Sequence, residues 1–239
     1  MKSIWPLICL VLLSSPSARP QVPSDSDLLD RIKLNRTHFP TLDLGPSLRE
    51  KADLSGEDVA VTKVVKETPI LCDHCPPPDP ANHPDVIRAT HESDLVAIGH
   101  VLRNTSCLTQ NEAFIFTDSQ FVIDEIWKPF SPSSSSLPLA INSEITLATP
   151  GGIVVSNGHT ISAFLSNIVP LRTGHSYLMY LKYMPDSSSF FPGTLYGFDL
   201  TANPVLLLHT TLSNPAQTLS SNRTDFLRAM HSSTLLGLR

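Results

Sequence analysis

The sequence has little charge and few aromatic side chains. Charged residues make up 16% and aromatic residues 7% of the 239 positions, and 17 basic side chains stand against 22 acidic ones. A protein that binds nucleic acid needs a basic surface for the phosphates, and one that binds single strands also needs aromatic rings on which bases stack. We therefore expect no nucleic-acid partner. The apolar fraction of 41% is sufficient for the core of one or two small domains.

Long hydrophobic runs are also lacking. The positive charge of Lys2 precedes an apolar run from Ile4 to Leu13, and small residues from Ser14 to Ala18 follow. This order is typical of a secretory signal peptide, and the run is far shorter than the about 20 residues that span a membrane. We expect residues 1–18 to be removed and the mature protein to be secreted or periplasmic, with no transmembrane segment. A retained membrane anchor is the alternative.

Cysteine is scarce, and the signal peptide removes one of the four cysteines in the chain. Loss of Cys9 leaves Cys72, Cys75 and Cys107 in the mature protein. An exported protein meets an oxidising compartment, where pairing of cysteines is the rule. Three is an odd number, so one thiol is left over or pairs between chains.

The mature chain divides into three predicted parts. They are a weakly structured N-terminal lead over residues 19–70, a β-barrel domain over 71–212, and a C-terminal helix and tail over 213–239. Within the lead, the β-branched stretch from Val59 to Val65 predicts a strand. Asn82 and Pro84 are typical cap and first-turn residues of a helix, which we expect to end near Ser93. The C-terminal helix is predicted over Thr224–His231.

The central part has the pattern of short strands. Strands are predicted over 94–102, in two pieces within 113–127, and over 144–148, 177–183, 195–200 and 205–210. The polar residues Asp118, Ser119 and Gln120 predict a bulge or bend between the two pieces. Asn157-Gly158 between β-prone runs predicts a two-residue hairpin turn, because both central residues need a positive φ. Such a sheet must close or pair to hide its edges, which favours a small antiparallel barrel or sandwich.

The order of these segments resembles a known family. A cysteine- and proline-rich arm and a short helix precede the segments S-D-L-V-A-I-G-H-V-L, F-V-I-D-E-I-W-K, I-T-L-A-T-P-G-G and P-L-R-T-G-H-S-Y-L-M-Y-L. This order is similar to bacterial secreted domains related to the netrin-like module, which tissue inhibitors of metalloproteinases share. The resemblance covers roughly Cys72 to Tyr183. It implies a mainly β fold, a small antiparallel barrel of the OB type with short flanking helices.

The resemblance does not extend to protease inhibition. The inhibitors place a cysteine at the mature N-terminus, where its amine chelates the protease zinc. Here Cys72 lies deep in the chain, and the spacing is Cys-x-x-Cys rather than Cys-x-Cys. Inhibition by that mechanism would require cleavage just before Cys72.

The segment L-C-D-H-C-P-P-P supports three interpretations. Cys72, His74, Cys75 and the downstream His83 form a candidate zinc ligand set, although structural sites usually have two well-spaced ligand pairs. A redox Cys-x-x-Cys motif lies at a helix N-terminus, whereas three prolines follow here. We favour a disulfide between Cys107 and either Cys72 or Cys75. Such a bridge closes a loop of about 33 to 36 residues and is worth roughly 3 to 4 kcal/mol.

Hydrolase motifs are incomplete in this sequence. His91-Glu92 begins a metalloprotease motif, but Leu95 stands where the second histidine is needed. The segment around Gly174 and Ser176 lacks the glycine that follows the serine of a nucleophile elbow. His100 and His159 are expected at surface or capping positions, and Gly151-Gly152 at a turn. The N-x-[ST] sequons begin at Asn35, Asn104 and Asn222. They could carry glycans in a eukaryotic secretory pathway, and in a bacterial chain, which the resemblance implies, we expect them to be coincidental.

The sequence therefore predicts a secreted, non-catalytic binding module whose partner is an unknown protein or a cell-envelope component. It predicts no catalytic residue and no cofactor. Two alternatives remain. One is a secreted hydrolase whose catalytic residues are not close in sequence, and the other is a metal or thiol module built on the Cys/His cluster of residues 72–83.

Overall fold

In the computed structural model, the structure describes residues 47–63, 84–109, 112–130, 139–166, 168–203, 205–208 and 223–238. This part of the chain is mainly β. Its helices are α1 (Leu48–Ser55), α2 (Pro84–Glu92) and α3 (Arg223–Gly237). Its strands are β1 (Val59–Lys63), β2 (Leu95–Leu108), β3 (Ile115–Lys128), β4 (Glu144–Pro150), β5 (Gly152–Ser156), β6 (His159–Leu165), β7 (Ser176–Met184), β8 (Ser189–Asp199) and β9 (Leu206–Leu207).

The larger sheet has the strand order β4-β3-β2-β7-β8-β9. Strands β2, β3 and β4 follow one another as antiparallel neighbours, and β7 returns to lie beside β2. Three consecutive strands with a fourth beside the first form a Greek key. A parallel pairing between Leu147 of β4 and Phe190 of β8 joins the ends of this arrangement. The strands β2, β3, β4, β8 and β7 thus form a partly closed, hydrogen-bonded ring.

The interior of this ring is the first hydrophobic core. Alternate residues of a strand point to opposite faces of the sheet, and the inward set of β2 includes Leu95, Ala97 and Val101. Gly99 belongs to the same set and carries no side chain. A Cβ at this position would collide with the carbonyl oxygen of Val122 and would lie 2.6 Å from the ring of Phe121. Because Gly99 has no side chain, the aromatic side chain of Phe121 can fill the interior of the strand ring.

The opposite face of β2 and β7 is covered by helices α2 and α3. Val96 and Tyr180 from the strands pack with Val86 of α2 and with Phe226 and Met230 of α3, and this cluster forms the second core. The helix α2 is predicted correctly, and α3 begins where predicted but continues to Gly237.

A lysine from the sheet stabilises the C-terminal end of α2. Nζ of Lys128 donates hydrogen bonds to the backbone carbonyls of Thr90, His91 and Ser93. A cation at this position compensates the carbonyls that have no partner within the helix. Desolvation lowers the pKa of Lys128, and the nearby carboxylate of Asp94 opposes that effect.

The smaller sheet has the order β1-β6-β5, with β1 parallel to β6. The predicted hairpin is confirmed, because β5 and β6 pair up to Ser156 and His159, with Asn157 at φ 51° and Gly158 at φ 84° between them. One face of this sheet packs with α1 and with the end of the β2–β3 hairpin to form the third core. Its buried members are Leu48, Ala52, Phe114, Ile115, Phe116, Ile161, Ala163 and Leu165.

The predicted break within residues 113–127 is wrong. Strand β3 continues through Asp118 and Ser119, which are buried and pair with β2 on one side and β4 on the other. The pairing with β2 is irregular elsewhere: Leu102 of β2 is an extra residue opposite Phe121 and Gln120, and β3 has extra residues at Asp124 and Trp127. Polar side chains did not stop the strand because both neighbouring strands supply backbone hydrogen bonds there.

Helix α1 was not predicted, and it lies within the segment assigned to the N-terminal lead. The side chain of Ser47 accepts a hydrogen bond from the backbone N–H of Glu50, and Gly56 ends the helix at φ 65°. Ser47 and Glu50 have the spacing of a capping box, so the signal was present in the sequence. Residues 19–46 and 64–70 of the predicted lead lie outside the described residues.

Candidate functional site

The cysteine and histidine candidates of residues 72–83 lie outside the described residues. The zinc, redox and disulfide hypotheses for Cys72, His74, Cys75 and His83 therefore stay predictions. Cys107 is described and lies near the end of β2, opposite Phe116 of β3. Its side chain is partly buried at the margin of the third core. A bridge to this residue would join the cysteine-rich arm to the β2–β3 hairpin.

The glycine pair and the central sequon both have structural roles. A Cβ on Gly152 would collide with Oγ1 of Thr117 and would lie 2.6 Å from Oγ of Ser106. The chain therefore needs glycine there for close approach to β2 and β3. The side-chain amide of Asn104 donates a 2.8 Å hydrogen bond to the carbonyl of Leu171. The amide nitrogen to which a glycan would be attached is thus engaged in the fold.

A histidine–aspartate pair lies where β7 begins and β8 ends. Nδ1 of His175 is 2.8 Å from Oδ2 of Asp199, whose carboxylate is buried. Oδ1 of the same carboxylate accepts hydrogen bonds from the backbone N–H groups of Thr201 and Ala202. The imidazole of His175 stacks on the ring of Tyr177, with 6.2 Å between the ring centroids. Asp199 thus holds both the histidine and the turn that leads to β9.

The tyrosine under this histidine is also buried. The backbone N–H of Arg172 donates a 2.6 Å hydrogen bond to the Tyr177 hydroxyl. Burial raises the pKa of Tyr177 to about 12, and the nearby Asp199 carboxylate acts in the same direction. The hydrogen bond from Arg172 opposes this shift. The phenol therefore stays protonated over the physiological range.

A second histidine–aspartate pair lies on the outside of the ring. Nδ1 of His100 is 3.0 Å from Oδ1 and 3.1 Å from Oδ2 of Asp124, and both side chains are exposed to solvent. His100 is paired with Ser176 of β7 in the sheet, and the N–H of Val101 donates to the carbonyl of His175. The two pairs are therefore neighbours along the strands, but they differ in burial.

The carboxylate of Asp199 can fix the orientation of the His175 imidazole. A carboxylate that accepts Nδ1–H leaves the Nε2 lone pair facing outward, as in a catalytic dyad. Gly174 and Ser176 flank His175 in the sequence. Its described side-chain contacts are with Asp199 and Tyr177, and neither is a serine or cysteine nucleophile. Within the described ranges no group of three or more His, Cys, Asp or Glu side chains has metal-binding geometry.

Exposed β-branched side chains identify a different kind of surface on the smaller sheet. Ile153 and Val155 of β5 are 55% and 74% exposed. In the described part of the chain, β5 pairs with β6 on one side only, so it is an edge strand. The same sheet face carries Ala60, Thr160 and Ser162, which are small or uncharged. Ile153, Val154 and Val155 are all apolar, so the sequence carries no signal that Ile153 and Val155 are exposed while Val154 is partly buried.

None of the three helices within the described ranges combines the length and apolar composition that a membrane crossing requires. Comparison of the chain with models of known protein families and with curated proteins gives no match in either case. The candidate sites thus rest on their own geometry.

Proposed function

We propose that this protein is a secreted, non-catalytic interaction module that binds an extended polypeptide through the edge of β5. The observation that carries the proposal is the exposure of Ile153 and Val155 on a strand that, among the described residues, has a neighbouring strand on one side only. An extended chain that adds to such an edge gains main-chain hydrogen bonds, and alternate side chains supply specificity. Strands that must stay single usually carry lysine, proline or a bulge, and β5 has none of these.

We also propose that the ring of strands is an OB-type barrel like that of the netrin-like module. The Greek-key order of β7, β2, β3 and β4, and the contact of β4 with β8, support this architecture. The barrel then serves as a rigid support for the smaller sheet, which packs on the end of the β2–β3 hairpin through the third core. Binding strands on rigid supports lose less entropy when a partner orders them.

Export of the mature protein is the third element of the proposal. The segments Met1-Lys2, Ile4–Leu13 and Ser14–Ala18 support it, because they have the order of a signal peptide. A binding strand in an extracellular or periplasmic module meets partners outside the cytoplasm, including components of the cell envelope.

A peptide selection tests the binding proposal. Random peptides displayed on phage are selected on the immobilised mature protein and measured against two variants, Val155→Lys and Leu54→Lys. Leu54 is 81% exposed and lies on α1, so its replacement adds the same charge and removes a similar apolar side chain, but on a helix rather than on β5. We expect the selected peptides to be rich in β-branched residues and to lose at least about tenfold in affinity for Val155→Lys, with no loss for Leu54→Lys. Peptides that bind both variants equally would refute the β5 site.

The hydrolase alternative is favoured by one observation, the orientation of His175 by the buried Asp199. A fluorophosphonate probe labels serines that are activated by such a histidine. If the protein is a hydrolase, the exported chain is labelled at one serine and His175→Ala abolishes the label. We expect no label on the wild-type chain, as for a binding module.

A further inference from the structure

We propose that the strand that docks on β5 is β5 of a second copy of this chain, paired antiparallel about a two-fold axis at Val154. This inference rests on the proposed function of β5 as a docking edge. The two smaller sheets then form one continuous sheet across the axis. An isologous contact of this kind uses the same patch on both copies and closes as a dimer.

The backbone of β5 has its free hydrogen-bonding groups at the right residues. The pair Ser156 and His159 closes the two-residue hairpin. In such hairpins the closing pair exchanges backbone hydrogen bonds, and bonded and non-bonded pairs then alternate along the strands. Val154 therefore bonds to Ile161 of β6, while the N–H and C=O groups of Ile153 and Val155 point to the free edge. A two-fold axis at Val154 lets these groups form about four hydrogen bonds with the other copy.

The side chains of β5 are complementary to themselves under the same operation. With the axis at Val154, Ile153 lies opposite Val155 of the partner subunit, and the reverse pair forms by symmetry. Both pairs lie on the exposed face of the sheet, since Ile153 and Val155 are its exposed residues. Directly opposed β-branched side chains are a stabilising cross-strand pair. Val154 belongs to the other face, at the margin of the third core, so its symmetric contact continues that core across the axis.

Charge also favours this patch as the contact between copies. The chain has a net charge of −5, so two copies repel each other over most of their surface. The β5 segment G-I-V-V-S carries no charge, and Ala60, Thr160 and Ser162 on the same face are uncharged as well. The carboxylates of Asp58 and Asp53 bond to Thr160 of β6 and to Asn157 of the turn, not to β5. Pairing at β5 thus places no like charges opposite each other, which would be destabilising in a sheet.

The contact is small, and its size sets the expected affinity. Two short strands and six β-branched side chains bury less than the about 1,200 Å² typical of stable complexes. We therefore expect a dimer whose dissociation constant is in the micromolar range or weaker, with monomer at low concentration.

Sedimentation equilibrium of the mature protein from about 1 to about 500 μM tests the proposal, because this range spans the expected dissociation constant. We expect the mass to rise from one chain to two. Val155→Lys should weaken the association at least about tenfold. It places a charged side chain opposite Ile153 of the partner subunit, and the two-fold axis repeats this contact. Leu54→Lys should leave it unchanged. A mass of one chain at every concentration, or a dimer that Val155→Lys does not weaken, overturns the two-fold pairing.

Hydrogen exchange supplies a second measurement that does not depend on a variant. We expect the amides of Ile153 and Val155 to gain protection as concentration rises, while the amide of Val154 is protected throughout by β6. Protection that does not change with concentration overturns the proposal. If self-association fails while the selected peptides still require Val155, β5 is a docking edge for another protein. If both fail, the proposed function fails with the dimer.

Discussion

Oδ2 of Asp199 lies 2.8 Å from Nδ1 of His175 and joins the residue directly before β7 to the last residue of β8. The same carboxylate holds the turn after β8 through two backbone N–H groups. Removal of one partner from such a buried group leaves a donor or acceptor unsatisfied, which costs about 1 to 3 kcal/mol. The pair therefore stabilises one end of the strand ring, whatever the protein binds.

Replacement of this carboxylate should be costly. We expect Asp199→Ala to lower the free energy of unfolding by about 2 to 3 kcal/mol, because it leaves three donors at a buried position without their acceptor. Urea denaturation measures the difference. Asp124→Ala is the matched control, since its pair with His100 is exposed and should be worth at most about 1 kcal/mol. Equal losses for the two variants would contradict the structural role assigned to Asp199.

Gly99→Ala should destabilise the protein through the interior of the ring. The added Cβ collides with the Val122 carbonyl and with the Phe121 ring, so β2 or β3 must move. We expect a loss of about 3 kcal/mol, at the upper end of what overpacked cores show. The control is Gly158→Ala, where no atom lies within 4 Å of the added Cβ and only the positive φ of 84° is unfavourable. That variant should lose about 1 kcal/mol. The prediction fails if Gly99→Ala is the milder of the two changes.

Stability should fall in strong alkali. Burial raises the pKa of Tyr177 to about 12, and it raises the pKa of Tyr180 above its ordinary value as well, against the opposing effect of the Thr234 and Thr90 hydroxyls. The unfolded phenols lose their protons near pH 10 and the folded Tyr177 near pH 12. The contribution of Tyr177 is therefore fully present below pH 10 and is lost as pH rises to about 12.

Urea unfolding from pH 9 to 12 measures this loss, which we expect to be about 1 to 2 kcal/mol for Tyr177. Tyr177→Phe should flatten the slope while lowering stability at pH 9, because the N–H of Arg172 loses its acceptor. A variant slope as steep as that of the wild type would show that another group controls the alkaline transition.

The covalent state of the mature protein is the fourth prediction. Mass spectrometry of the exported chain, with and without reductant, should find an N-terminus near Ala18, one bridge between Cys107 and Cys72 or Cys75, and one remaining thiol. Cys107→Ser should leave no such bridge and should lower stability by roughly 3 kcal/mol under oxidising conditions only. Three reduced thiols in the exported protein, or a bridge between Cys72 and Cys75, would contradict the stapled arrangement.

Local signals explain which elements were predicted. The Asn157-Gly158 hairpin follows from the φ angles that its turn requires, and α2 follows from a proline in its first turn. Strand β7 follows from its apolar pattern. In contrast, β2 continues for six residues beyond Leu102, where the predicted strand ended, and most of these residues are polar. Its pairing with β3 supplies the backbone hydrogen bonds there, and that pairing is not visible in the β2 sequence.

Strand β8 illustrates the same difference. It begins at Ser189, six residues before the predicted start, and it contains Pro192. A proline usually ends a strand because it has no N–H to donate. Here Pro192 is the partner of Leu181, and an irregular stretch of the pairing separates it from Gly197, the partner of Met179. Only the register of the two strands shows that the missing donor is tolerated.

The sequence by itself determined the mainly β class, the β5–β6 hairpin and the helices α2 and α3, because these depend on neighbours along the chain. The tertiary structure decided the contact of Leu147 with Phe190, the pairing of His175 with Asp199 and the free edge of β5. Those features join residues that are distant in sequence or depend on which strands lie side by side. Such pairings are selected by the packing of whole sheets rather than by the residues that meet there.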